Sequence, residues 1–144
     1  MEIDNRFAKE HIYKWIRAWN DHNLKEVISL YSDNITFSSP KIKSVYPNRD
    51  STTITNKKDL EEYFSSGLKK FPMLQFMPID YFLKNHKVVL EYNATPDKKI
   101  QWPVIEKFTF DDDALIEKST VYYGAEDWIG NSAILNSINT IELG

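Results

Sequence analysis

Trp15-Ile16-Arg17-Ala18-Trp19-Asn20-Asp21-His22-Asn23-Leu24, continued by Leu30-Tyr31-Ser32-Asp33-Asn34-Ile35-Thr36-Phe37-Ser38-Ser39-Pro40, carries three structural elements in close succession. An aromatic-studded helix stops at a polar turn, a short second helix follows at once, and a strand then runs to a proline. The first helix carries Phe7, Ala8, Ile12, Trp15, Ile16 and Trp19 on one stripe at helical spacing. Asn23 is placed to cap the second helix, and Glu26 three residues on completes a capping-box pattern. A third helix opens after Asn56, repeats Leu60, Tyr63, Phe64, Gly67, Leu68 and Phe71 at i, i+3, i+4, i+7, and ends at Pro72.

Beyond Pro72 the period changes to two. The segments Gln75 to Lys84, Lys87 to Thr95, Ile100 to Phe110 and Leu115 to Gly124 read as strands, joined by the turn sequences Asn85-His86, Pro96-Asp97-Lys98 and Asp111-Asp112-Asp113. Turns this tight make antiparallel neighbours. Ile35 to Ser39 is a fifth, isolated strand. Helices first and a meander afterwards is an α+β pattern. Residues 40–55 show no period, and the stretch reads either as a lid or as a mobile surface loop.

Composition narrows the function classes. The 144 residues make one domain, 1–144, long enough to bury a core. A net charge of −3 supplies no basic field for a phosphate backbone, so no nucleic-acid partner is expected. The absence of cysteine excludes disulfides, thiol nucleophiles and cysteine-based zinc sites. His11, His22 and His86 are scattered, without a ligand spacing, so no metal and no cofactor is expected. The acidic start Met1-Glu2-Ile3-Asp4 has no signal-peptide character, and no apolar run is long enough for a bilayer; a cytoplasmic protein without a membrane partner is expected.

Glu106 is the sharpest chemical signal. In the strand Ile100 to Phe110 it falls in phase with Ile100, Trp102, Val104, Phe108 and Phe110, on the apolar face. Burial there favours the neutral carboxyl, which can donate a proton or hold an oxygen. A structural role, paired to an arginine or a tyrosine hydroxyl, is the alternative.

The helix–turn–helix–strand order of residues 15–40 resembles the start of the SnoaL-like branch of the nuclear transport factor 2-like superfamily. That resemblance covers nearly the whole chain and implies three N-terminal helices packed on a strongly curved, mostly antiparallel sheet, a cone with an internal pocket. It does not name the activity, because the superfamily holds isomerases, cyclases, hydrolases and binding modules. The string Val104-Ile105-Glu106-Lys107-Phe108-Thr109-Phe110 is similar to the strand that carries the protonated oxyanion-hole aspartic acid of ketosteroid isomerases, with Glu106 on that position. The other two isomerase positions differ: Trp15 replaces the tyrosine and Ser39 the aspartate base. Ser39 cannot abstract a carbon-bound proton without a base of its own, so steroid isomerisation is not expected.

The reading that results is a pocket protein for a small apolar or polyketide-like molecule, with Glu106 as its catalytic candidate. Trp15, Ser39, Phe64, Tyr92, Trp102, Phe108 and Tyr123 are expected to line the pocket. For the last strand, the face Ser119, Val121 and Tyr123 and the face Ile116, Thr120 and Tyr122 compete for the interior, and the resemblance favours the first. Trp19 reads as core between the first two helices. The competing reading is a non-catalytic dimeric binding or interaction module with a filled cone. In Gln75 to Lys84 both faces are apolar, with Met77, Ile79, Tyr81 and Leu83 on one and Phe76, Pro78 and Phe82 on the other. A sheet covered on one side should alternate more cleanly, so a homodimer through the outer face is expected. The alternative cover is the tail, with Ile134, Leu135, Ile138 and Ile141.

Overall fold

A computed structural model describes residues 2–125 and 127–128. The tail residues Ile134, Leu135, Ile138 and Ile141 lie outside the described residues. Helix α1 (Asn5–Asn20) is capped by the Asp4 side chain, and α2 (Leu24–Ser29) by Asn23. The Glu26 N–H donates to Asn23 Oδ1 at 3.1 Å, and the Asn23 amide donates back to the Glu26 carboxylate at 3.2 Å. Strand β1 (Tyr31–Ser38) follows, then a single-turn helix α3 (Ile42–Val45) and a two-residue strand β2 (Thr53–Ile54). Helix α4 (Lys57–Lys70) has Asn56 as its cap, accepting from the Asp59 N–H at 2.8 Å. The meander comprises β3 (Gln75–Lys84), β4 (Lys87–Thr95), β5 (Ile100–Phe110) and β6 (Ile116–Tyr123), with β7 (Asp127–Trp128) beside β5. Asn85, at φ 56°, supplies the left-handed residue that the two-residue β3–β4 turn requires.

The strand order is β2-β1-β6-β5-β4-β3. The neighbours are antiparallel except β1 and β6, which run parallel. The N-terminal strand is therefore longer than Ile35 to Ser39, and it is not isolated. It joins the meander through β6, and the Ile116 N–H donates to the Leu30 carbonyl at 2.9 Å. The segment 40–55, without a period in sequence, holds α3 and β2. Its ends are tied, since the Ser39 N–H donates to the Thr52 carbonyl at 3.0 Å.

A bulge resolves the two-sided apolarity of β3. Pro78 lies opposite Tyr92 and Asp80 opposite Glu91, which leaves Ile79 as the extra residue. The phase of side chains flips there. Phe76, Pro78, Tyr81 and Leu83 pair with the buried residues Ala94, Tyr92, Leu90 and Val88, whereas Met77, Asp80 and Phe82 pair with outer-face residues. The expected grouping of Met77 and Ile79 with Tyr81 and Leu83 is thus wrong, because strict alternation does not survive an inserted residue.

The concave face closes over aromatic side chains. Trp15 is fully buried, its ring centroid 5.2–5.3 Å from those of Phe76, Tyr92 and Phe108, and its indole N–H donates to the Tyr31 hydroxyl at 3.0 Å. His11 is one turn before Trp15. It is buried among Phe7, Phe108 and Phe110, and its Nε2 has no protein partner. Burial first, and the Lys14 charge second, lower its pKa from 6.5 to about 3. A histidine held neutral in the fold binds fewer protons than in the unfolded chain. The stability it contributes is complete above pH 6.5 and is lost as pH falls toward 3. We expect His11→Leu, which keeps the packing and removes the proton site, to flatten this acid limb in denaturant titrations between those limits. An unchanged limb would assign it to other groups.

Candidate functional site

Between the sheet and helices α1, α3 and α4 lies a cavity of about 310 Å³. Most of its wall is aromatic. Trp15 and Trp19 come from α1, Tyr63, Phe64 and Phe71 from α4 and its end, Phe76 from β3, Tyr92 from β4, Trp102 from β5 and Tyr123 from β6. Gly67, on the inward stripe of α4, gives the cavity room: a Cβ built there meets nothing within 4 Å.

Glu106 reaches this cavity from the middle of β5 and is 3% exposed. Its two carboxyl oxygens have separate partners. The Tyr92 hydroxyl donates to Oε1 at 2.8 Å, and the Ser119 hydroxyl to Oε2 at 2.8 Å. Strand register brings them together: Glu106 lies opposite Leu90 on β4 and Val121 on β6, so Tyr92 and Ser119 are each two residues away on the same face. Burial raises the Glu106 pKa from 4.5 to about 7, against the opposing effect of Tyr92 and then Ser119, which favour the carboxylate. Burial also raises Tyr123 and Tyr63, the latter to about 12, while contact with Ser39 pulls both the other way. Tyr31 and Tyr92 move up for the same first reason, with the Glu106 charge second.

Of the residues expected at the pocket, Trp15, Phe64, Tyr92, Trp102, Tyr123 and Glu106 reach the cavity wall. Two do not. Ser39 is buried behind the wall, its hydroxyl accepting from the Lys41 N–H at 3.3 Å. Phe108 is fully buried between Trp15 and His11. It shares the inward face with Glu106, but helix α1 covers it through His11 and Trp15. Conversely, Trp19 lines the cavity although its spacing reads as core, and its buried indole N–H has no protein partner. On β6 the inward face is Ser119, Val121 and Tyr123; Ile116 is also buried, across the irregularity at Phe110. Lys41, Ser44 and Val45 of the aperiodic segment also line the cavity. Periodicity could not reveal them, because one helical turn is too short to establish a period. A glycine on the apolar stripe of α4 was the available sign of space. No group of His, Asp and Glu able to hold a metal occurs among the described residues. None of their helices is long and apolar enough to cross a membrane.

The family model of the SnoaL-like domain matches residues 12–118, and the chain belongs to that family. It is similar to a SnoaL-like protein of unknown function from Burkholderia thailandensis, with a TM-score of 0.79 and 26% identity over 87% of this chain and 100% of that one. An NTF2-like protein from Anabaena variabilis matches with a TM-score of 0.68 and 15% identity, over 83% and 88% of the two chains. The epoxide hydrolase/cyclase-like enzyme SalBIII, of pyran ring formation in the polyether salinomycin, matches with a TM-score of 0.67 and 17% identity, over 84% and 93%. No curated protein matches the sequence.

The raised carboxyl has a measurable consequence. Between pH 4.5 and about 7 the folded state holds a proton that the unfolded state releases, so this contribution to stability falls as pH rises through that window. Glutamine keeps the shape and the two hydroxyl partners. We expect Glu106→Gln to be more stable than the wild type above pH 7, by up to about 3 kcal/mol, and equal to it below pH 4.5. Urea unfolding across that range checks it; a pH-independent difference would place the carboxyl in its ordinary range.

Proposed function

We propose that the cavity binds a small apolar, polyketide-like molecule and that Glu106 performs acid–base chemistry on it through the Tyr92 hydroxyl. The observation that carries this reading is a buried carboxyl bonded to a hydroxyl that itself lines an aromatic cavity. A neutral Glu106 donates its proton toward Tyr92, which turns the Tyr92 O–H toward a ligand oxygen. As negative charge develops on that oxygen, Tyr92 passes its proton on and Glu106 replaces it. The volume of about 310 Å³ lies at the small end of ligand pockets, roughly 300–1,000 Å³, and favours binding over a filled cone. The SalBIII likeness adds a precedent for oxygen-ring chemistry on this fold. A steroid-isomerase reading is disfavoured, since the Trp15 N–H is taken by Tyr31 and Ser39 lies behind the wall.

A thermal-shift screen with apolar and polyketide-like compounds tests the reading. Ligands are expected to raise the melting temperature of the wild type but not of Gly67→Leu, whose side chain fills the space beside α4. Binding of oxygen-bearing compounds should weaken as pH rises through about 7, and Glu106→Gln should lose that dependence. Equal shifts in wild type and Gly67→Leu would place the binding elsewhere.

The reading includes a homodimer. Met77, Phe82, Ile105 and Tyr122 are exposed on the outer face of the sheet, with Ile105 opposite Tyr122 in the β5–β6 register. A two-fold pairing of this face covers them all at once. Sedimentation equilibrium should give a dimer at micromolar concentration, and Phe82→Asp with Ile105→Asp a monomer. A monomeric wild type would instead point to the C-terminal segment as the cover.

A further inference from the structure

We infer that Tyr63 and Tyr123 form a second polar contact in the cavity, which takes a neutral hydroxyl group of the ligand at a distance from the oxygen met by Tyr92. This rests on the binding reading above and narrows its ligand class. The three tyrosines come from different walls: Tyr63 from α4, Tyr92 from β4 and Tyr123 from the end of β6. Tyr92 and Tyr123 share a row across the sheet, since both pair with Val104 of β5. Two strand spacings, about 10 Å, therefore separate their backbones. Tyr92 is turned to Glu106 by its hydrogen bond. The Tyr63 and Tyr123 hydroxyls instead contact that of Ser39, directly after β1. The ring-lined wall thus carries two separate polar poles.

Ser39 is fixed from behind. Its N–H donates to the Thr52 carbonyl at 3.0 Å, its carbonyl accepts from the Ile42 N–H at 3.2 Å, and its hydroxyl oxygen accepts from the Lys41 N–H at 3.3 Å. One lone pair and one proton of the hydroxyl remain. Ser39 can therefore serve the two phenols only in opposite senses, accepting from one and donating to the other. The first phenol keeps its lone pairs for the cavity, and the second keeps its O–H. Together they offer one acceptor and one donor. A hydroxyl group uses both, whereas a carbonyl or ether oxygen uses only the donor.

Packing alone does not explain the phenols. Phe37 and Phe64 lie beside Tyr63, with ring centroids at 5.9 and 6.0 Å, and a third phenylalanine would fill its place without a hydroxyl to desolvate. Burial holds both phenols protonated, raising Tyr63 to about 12, and the Glu106 charge acts on both in the same direction. A negative ligand group at this pole would meet that charge, so the pole suits a neutral partner. The ligand class is a rigid apolar molecule, about two fused rings wide, with a hydroxyl at one end and a carbonyl or ether oxygen at the other.

Acetylnaphthol, with its two oxygen groups at opposite ends of the rings, is compared with acetylnaphthalene and with the methyl ether of acetylnaphthol. Calorimetric titration at about pH 6, where Glu106 is mostly neutral, should show acetylnaphthol binding about tenfold tighter than acetylnaphthalene. The methyl ether, which accepts but cannot donate, should fall between them. Tyr63→Phe and Tyr123→Phe should each shrink the advantage, and the double variant should bring it close to one. Each ratio is taken within one variant, so a general loosening of the cavity cancels. The inference fails, while the apolar pocket stands, if acetylnaphthalene binds the wild type as tightly as acetylnaphthol, if the methyl ether binds the wild type as tightly as acetylnaphthol, or if the advantage survives in the double variant. The two wild-type comparisons hold whether or not the variants fold. If none of the three compounds binds, the binding reading fails and takes this inference with it.

Discussion

The interior is organised around Trp15. Its ring packs edge or face against Trp19, Phe76, Tyr92 and Phe108, and its N–H is satisfied by Tyr31. One side chain of α1 therefore touches β1, β3, β4 and β5, and the sheet must curve for all of those contacts to be made together. Indole suits the position because it is large, rigid and carries a donor at its edge. The hydroxyl of Tyr31 is fully buried and needs a partner, and Trp15 supplies one.

Curvature then creates the cavity. A flat sheet packed by a helix would fill its concave face with side chains. Here α4 stands off at Gly67, and the rings around it enclose space. The strand register brings together one carboxyl and two hydroxyls from three adjacent strands, and Glu106 and Tyr92 of these reach that space. Satisfying both oxygens keeps Glu106 tolerable in an apolar setting, while burial still outweighs the hydroxyls and lifts its pKa. The pairing itself is structural, and the tyrosine that makes it also lines the cavity, so a structural role for Glu106 does not exclude the proposed chemical one.

His11 and Glu106 load the fold with opposite pH responses. The first favours folding at higher pH and the second at lower pH. Their windows overlap between pH 4.5 and 6.5, so the net slope there is smaller than either alone. A polar group buried without a partner, such as His11 Nε2, is a cost that a core histidine usually avoids. It is tolerated here as a neutral ring stacked among Phe7, Phe108 and Phe110.

Local periodicity and capping are legible in the sequence. Asn23 and Asn56 start helices, Pro72 closes the helical half, and period two in residues 100–110 puts Glu106 inside. These follow from backbone geometry over a few residues, where hydrogen bonding and side-chain direction are set by near neighbours. Features that depend on contacts between distant parts of the chain emerge only in the folded molecule. The bulge at Ile79 reversed the faces of β3, because an inserted residue breaks alternation without leaving a mark in composition. Phe108 and Ser39 went behind the wall while Trp19, Lys41 and Lys70 came to it. Which inward-facing side chain meets a cavity, and which meets another element, is fixed by the curvature of the whole sheet, and no window of sequence carries that quantity.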